Sequence, residues 1–127
     1  MTNHIEIFIQ TAEPIRKIAG LIGLALSSKV EEYDENDENW YAFELANITL
    51  TFGEHDFESE ENIDFASYQY DLTIGIPFGG EFENDNKRQE QFQLEIASRL
   101  FDKFVEENKF DLLMTRALSK IIREYHP

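Results

Sequence analysis

Several side-chain groupings in this sequence have the types that support chemistry, and each fails on spacing. Asp34, Asn36 and Glu38 fall at alternate positions, as oxygen ligands do in a twelve-residue calcium loop. That loop needs glycine at its sixth position and a bidentate glutamate at its twelfth, where this chain has Asn39 and Leu45. His4, His55 and His126 stand 51 and 71 residues apart, so none has a local partner for a transition metal. His55 and Asp56 are adjacent and could form an acid–base pair, although a single histidine in an acidic loop is more often an ordinary surface residue. No serine sits in a Gly-x-Ser-x-Gly elbow. Gly75-Ile76-Pro77-Phe78-Gly79-Gly80 lacks the lysine that a phosphate-cradling loop requires. Carboxylate pairs are so abundant that any two at glycosidase distance carry no information. The chain has no cysteine, which removes thiol chemistry and zinc–thiolate sites. These residues point away from an enzyme: no catalytic residue, cofactor or metal is expected.

Charge is the informative feature. The 127 residues hold 26 acidic and 11 basic side chains, for a net charge of −15. Between Lys29 and Lys87 there is no lysine or arginine, and that stretch holds 17 of the 26 carboxylates. A nuclease would need a cation among its acids, and direct nucleic-acid binding would need a basic surface. Keeping a protein soluble takes only modest charge of mixed sign, whereas segregated like charge repels itself and calls for a cationic partner. Acidic segments at 31–38, 54–64 and 81–85 are read as a surface for a basic protein, with solubility alone as the competing explanation of the charge. The expected contact residues are Asp34, Asp37, Glu38, Glu54, Asp56, Glu58, Glu60 and Glu61, with Trp40 and Phe57 as aromatic anchors. Tyr33, Tyr41 and Tyr68 lie in or beside the same segments, and core packing is the ordinary reading for Trp40 and Tyr41.

The elements that must position these residues follow from periodicity. Ile5, Ile7 and Ile9 alternate as one strand face. Thr11 is expected to cap a helix with Glu13 and Pro14 in its first turn, its stripe being Ile15, Ile18, Ala19, Ile22, Ala25 and Leu26. Gly20 and Gly23 would let another backbone come close to that helix. Lys29–Tyr33 reads as a short strand, 34–39 as a solvated turn, and Trp40–Phe52 as a strand region whose alternation changes parity near Ala46-Asn47, through a bulge or a turn. Glu54–Asp64 reads as an acidic loop or edge. Tyr68, Tyr70, Leu72, Ile74 and Ile76 alternate in a further strand, ended by Pro77–Gly80. Asp85 or Asn86 would cap a helix of about 20 residues with the stripe Phe92, Ile96, Leu100 and Phe104, stopping at Asn108. The region after it fits a helix throughout, or a strand over Phe110–Thr115 followed by a helix to Tyr125; the second is preferred. The expectation is one α+β domain over residues 1–127, a mostly antiparallel sheet of about 4–5 strands packed against 2–3 helices.

The start, Met1-Thr2-Asn3-His4-Ile5-Glu6, lacks a basic secretion leader, and the longest apolar stretch, Ile18 to Leu26, is too short to span a bilayer. A cytoplasmic protein without membrane attachment is expected. In the acidic middle, the Tyr-rich strand behind it, and the ending Phe110-Asp111-Leu112-Leu113-Met114-Thr115-Arg116-Ala117-Leu118-Ser119-Lys120-Ile121-Ile122-Arg123-Glu124-Tyr125-His126-Pro127, the chain resembles the immunity proteins of bacterial toxin systems, including those of contact-dependent growth inhibition. The resemblance implies an antitoxin-like inhibitor that binds a cognate basic toxin, often a nuclease, and blocks its active site or substrate groove. It carries no functional residue over by position. The alternatives are a small acidic secretion chaperone of the type III kind, or a nucleic-acid mimic that occupies a DNA-binding protein.

Overall fold

The computed structural model describes residues 4–35, 38–45, 47–59 and 63–127, with Glu35 and Glu38 as backbone only. The elements run β1 (Ile5–Gln10), α1 (Ile15–Leu26), β2 (Val30–Glu35), β3 (Glu38–Leu45), β4 (Ile48–Glu54), β5 (Tyr70–Ile74), α2 (Asn86–Glu107), β6 (Asp111–Arg116) and β7 (Lys120–Tyr125). All strand pairs are antiparallel, in the order β2-β3-β4-β5-β1-β6-β7. The α+β class is as expected, but the sheet has seven strands rather than four or five.

Both helices lie on one face. Ile5, Ile7 and Ile9 of β1, Phe43 of β3, Leu50 and Phe52 of β4, and Leu72 and Ile74 of β5 meet Ile18 and Ile22 of α1 and Ile96, Leu100, Phe101 and Phe104 of α2 in the main core. Each such side chain contributes about 1.5–3 kcal/mol by leaving water. Gly23 supports this packing directly, since a Cβ there would lie 2.6 Å from Val30 Cγ2. Gly20 does not, because nothing lies within 4 Å of its missing Cβ.

The caps agree for α2, where Asp85 accepts from the Arg88 N–H at 3.1 Å and Asn108 closes the helix at φ 52°. For α1 the cap is Pro14 rather than Thr11, whose hydroxyl instead accepts from the Glu13 N–H in the preceding turn. The parity break resolves as a hairpin, with Leu45 paired to Ile48; Ala46 itself lies outside the described residues. The expected turn at 34–39 is mostly strand. Asp34 pairs with Asn39 and Glu35 with Glu38, because ladder pairing outweighs the poor strand preference of Asp, Glu and Asn.

The expected final helix is a strand. Ala117 and Leu118 both adopt positive φ, 55° and 57°, and Ser119 N–H bonds the Arg116 carbonyl at 3.1 Å, which turns the chain back as a tight hairpin. The β6–β7 register shifts at Met114/Thr115. That irregularity puts Ile122 and Tyr125 against the same core, at a three-residue step that imitates helical spacing.

Phe8 points away from the helices and founds a second, smaller core with Ile63, Phe65, Tyr68 and Leu113. The chain between β4 and β5 folds over Phe8 to build it, with a 3-10 turn at Phe65–Ser67. Tyr68 therefore belongs to this face, not to the face of Tyr70, Leu72 and Ile74 as the alternation suggested. Asp64 anchors the turn by accepting from the Ser67 N–H at 3.3 Å and the Ser59 hydroxyl at 2.7 Å. The Ser67 and Ser59 hydroxyls hold its carboxyl below the usual value.

Candidate partner-binding groove on the open sheet face

The second core covers only part of the face opposite the helices. Register places Tyr33, Trp40, Gly53, Asp71, Phe8 and Leu113 side by side in one row across β2, β3, β4, β5, β1 and β6. The adjacent row is Glu31, Ala42, Thr51, Thr73, Glu6 and Thr115. Along the first row, the missing side chain of Gly53 leaves a gap between Trp40 and Asp71. A groove of about 550 Å³ opens there, lined by Asn39, Trp40, Thr51, Phe52, Gly53, Glu54, His55, Asp56, Asp71 and Thr73. No lysine or arginine is among them.

One wall is aromatic. The Trp40 indole stacks on the Tyr33 ring at 4.2 Å and 13°. The opposite wall is acidic and buried. Asp71 is 8% exposed and Glu6 6%, and Thr73 Oγ1 donates to Glu6 Oε2 at 2.7 Å. Burial, then the adjoining Glu6, pushes the Asp71 carboxyl well above the ordinary carboxylate range, with Thr73 acting weakly in the other direction. A proton on Asp71 converts repulsion between the two carboxylates into a hydrogen bond. Asp71 Oδ1 remains buried without a partner, as does Asn39 Oδ1.

His55 closes the top. Its Nδ1 accepts from the Phe57 N–H at 3.1 Å and its Nε2 meets the Tyr68 carbonyl at 2.6 Å, so the neutral ring carries its proton on Nε2. The ring also packs edge-on to Phe8 at 5.0 Å. His55 thus ties the loop to the sheet and makes no pair with Asp56.

Of the expected contact residues, Trp40, Glu54 and Asp56 converge on the groove. Phe57 turns to Phe8 and Phe65 at 6.1 and 6.2 Å and stays 38% exposed. Glu58 is exposed on the loop, and Asp34 is exposed on β2 away from the groove. Asp37, Glu60 and Glu61 lie outside the described residues, as does the Glu38 side chain. Sequence reading missed Glu6, Asp71 and Thr73, which look like ordinary outward strand positions.

Charge compensation is uneven. Among the described residues, the carboxylates between Lys29 and Lys87 that form ion pairs are Glu32, with Arg16 at 3.2 Å, and Glu81, with Arg88 at 3.1 Å. The other ion-pairing lysines and arginines serve Glu13, Asp102 and Glu106 on the helical side. Glu54, Asp56 and Glu58 have no cation. A second groove of about 390 Å³ lies on the β6–β7 side of the loop, beside Asp64, Tyr68, Asp111, Glu124 and His126. There Asp111, 2.8 Å from His126 Nδ1, and then Glu124 raise the histidine's value. Burial, followed by Glu124, Asp111 and Asp64, pushes the Tyr68 hydroxyl up to about 12. Among the described residues no three acidic or histidine side chains converge for a metal ion, and no helix is long and apolar enough to cross a membrane.

The raised Asp71 value has a consequence for stability. A carboxyl raised on folding contributes stability in acid that is lost as pH climbs through its raised value. Asp71→Asn should therefore match wild type below about pH 4 and become the more stable protein as pH rises, by about 1.4 kcal/mol per unit of the native-state shift. Urea unfolding of both proteins from pH 3 to 8 checks this; parallel curves would mean that Asp71 titrates as an exposed acid.

Comparison of the chain with family models, with curated proteins and with solved structures returns no match.

Proposed function

We propose that this protein is an inhibitor that binds a basic partner protein on the open sheet face, in the manner of an immunity protein neutralising a cognate toxin. One observation carries the reading: the groove joins an aromatic wall to uncompensated carboxylates and holds no cation of its own. Carboxylates arranged in this way steer a basic protein into encounter, and a ring such as Trp40 then provides the desolvated contact that slows release. A toxin whose active site is a cationic substrate groove has the complementary surface. Action in the cytoplasm belongs to the same reading, because that is where such a toxin would reach its target.

The test is capture of partners from a lysate at low salt, elution at high salt, and kinetics on the protein recovered. A folded basic protein released by salt is expected. Charge reversal of Glu54, Asp56 and Glu58 together should slow its association about tenfold or more and flatten the salt dependence. Association that is unchanged in that variant would place the interface elsewhere.

One feature favours the chaperone alternative. Leu24 is 81% exposed beside Gly20, Leu21 and Phe110, in an apolar cleft of about 490 Å³ next to α1. Capture of an unfolded secretion substrate that is lost in Leu24→Ser, and not in the charge-reversal variant, would favour that reading.

A further inference from the structure

We propose that the gap over Gly53 is a receptor for one guanidinium group, an arginine side chain presented by the partner. This deepens the reading of the open face as a surface for a basic protein and rests on it for the source of the arginine.

The shape of the gap comes first. Trp40 and Asp71 are two strands apart in the same row, hence about 10 Å apart at the backbone, with a glycine between them. A Cβ at position 53 would project into this space and meet Trp40 Cβ at 3.0 Å. One face of the Trp40 indole is taken by Tyr33, which leaves the other to the gap. A flat cation fits between an indole face and a carboxyl group. Guanidinium is planar, weakly hydrated and able to stack while donating in-plane N–H bonds, whereas a lysine ammonium is a compact, strongly hydrated charge.

The acceptor is already in place. Asp71 Oδ1 is buried without a hydrogen-bond partner on a side chain only 8% exposed that lines the groove. Such an oxygen gains most from a charged donor brought to it.

The proton follows from the surroundings. Glu6 faces Asp71 from β1, Thr73 from β5, and Glu54, His55 and Asp56 from the end of β4. Facing β3 and β6 add Trp40 and Thr115, which are uncharged. With no cation present, burial and the neighbouring Glu6 favour the protonated form of Asp71. An arriving guanidinium supplies the missing positive charge, and the carboxyl proton passes to solvent. The charge in the gap is then the same before and after binding.

The experiment uses the whole protein and N-acetyl-arginine amide as probe, followed by amide and indole NMR at low ionic strength. The chain's single tryptophan is Trp40, so its indole N–H is an unambiguous reporter. The Trp40 indole and Gly53 amide should shift together and saturate at millimolar probe, with the lysine analogue at least tenfold weaker. Affinity should fall about tenfold per pH unit below the Asp71 titration. Asp71→Asn should weaken binding at least tenfold and remove that pH dependence. Gly53→Ala should block binding with every carboxylate retained. An equal response to the lysine analogue, or shifts spread over the acidic loops and unaffected by either variant, would overturn the proposal. Saturable arginine binding in a protein that captures no basic partner would uphold the receptor and sink the inhibitor reading. A captured partner whose affinity is indifferent to both variants would do the reverse.

Discussion

Phe8→Ala should lower the unfolding free energy by about 3–5 kcal/mol, the range for deleting a buried phenylalanine ring. Phe8 is fully buried at the centre of the second core, with ring centroids 4.8 Å from Phe65, 5.0 Å from His55, 6.1 Å from Phe57 and 6.4 Å from Tyr68. Among the described residues, Leu113 and Leu118 also pack in this core, and Gln10 accepts from the Gln69 N–H at 2.7 Å. The loss should show as a lower urea midpoint. It should also reach the groove at a distance, because His55 and Asp56 line it from the segment that Phe8 seats. Asp71 stands beside Phe8 in register and would gain water, so its carboxyl should return toward the ordinary range. A loss under about 1 kcal/mol would show that the segment is held by other contacts.

Gln93→Leu should cost about 2–4 kcal/mol although it places an apolar side chain in an apolar site. Gln93 is fully buried in α2. Its Nε2 donates to the carbonyls of Ile74 at 2.9 Å and Gly75 at 3.3 Å, and its Oε1 accepts from Arg116 Nη1 at 2.9 Å. One amide thus connects α2 to the end of β5 and to the end of β6. Leucine would fill most of the volume but strip a donor from the carbonyls and an acceptor from the guanidinium. A fall of on the order of 10 °C in the thermal midpoint is the expected reading. A neutral result would mean that leucine packing offsets all three bonds.

What could be read from the chain alone divides along a physical line. β1, α1 and α2 repeat apolar side chains at the period of their own backbone, and Asp85 and Asn108 mark α2 by local chemistry. β7 escaped because its deciding features are an irregular register and two positive-φ residues, Ala117 and Leu118, neither a usual turn former. Strand order is non-local: no periodicity states that β1 lies between β5 and β6. The same limit governs the site. Trp40, Glu54 and Asp56 were visible as an aromatic and acids within one acidic stretch. Glu6 and Asp71 are 65 positions apart and acquire their character only when pairing buries them together. Phe8 was the available signal, a large aromatic on the supposedly outward face of a strand, which says that something covers that face without saying what.

The sheet is open at both ends, and its two edges differ. β2 carries Glu31, Glu32, Asp34 and Glu35 among its six residues and no cation, whereas β7 carries Lys120 and Arg123 with Glu124. An unpaired strand is a template for any chain that can donate a ladder, and charge is one means by which natural sheets refuse it. Two copies meeting through β2 would set acidic rows one strand spacing apart, which opposes symmetric growth from that end. A cationic strand would find the opposite, an edge of complementary charge. The charge on β2 thereby works against self-pairing through that edge, and it does so apart from Glu54 and Asp56, the carboxylates that line the groove.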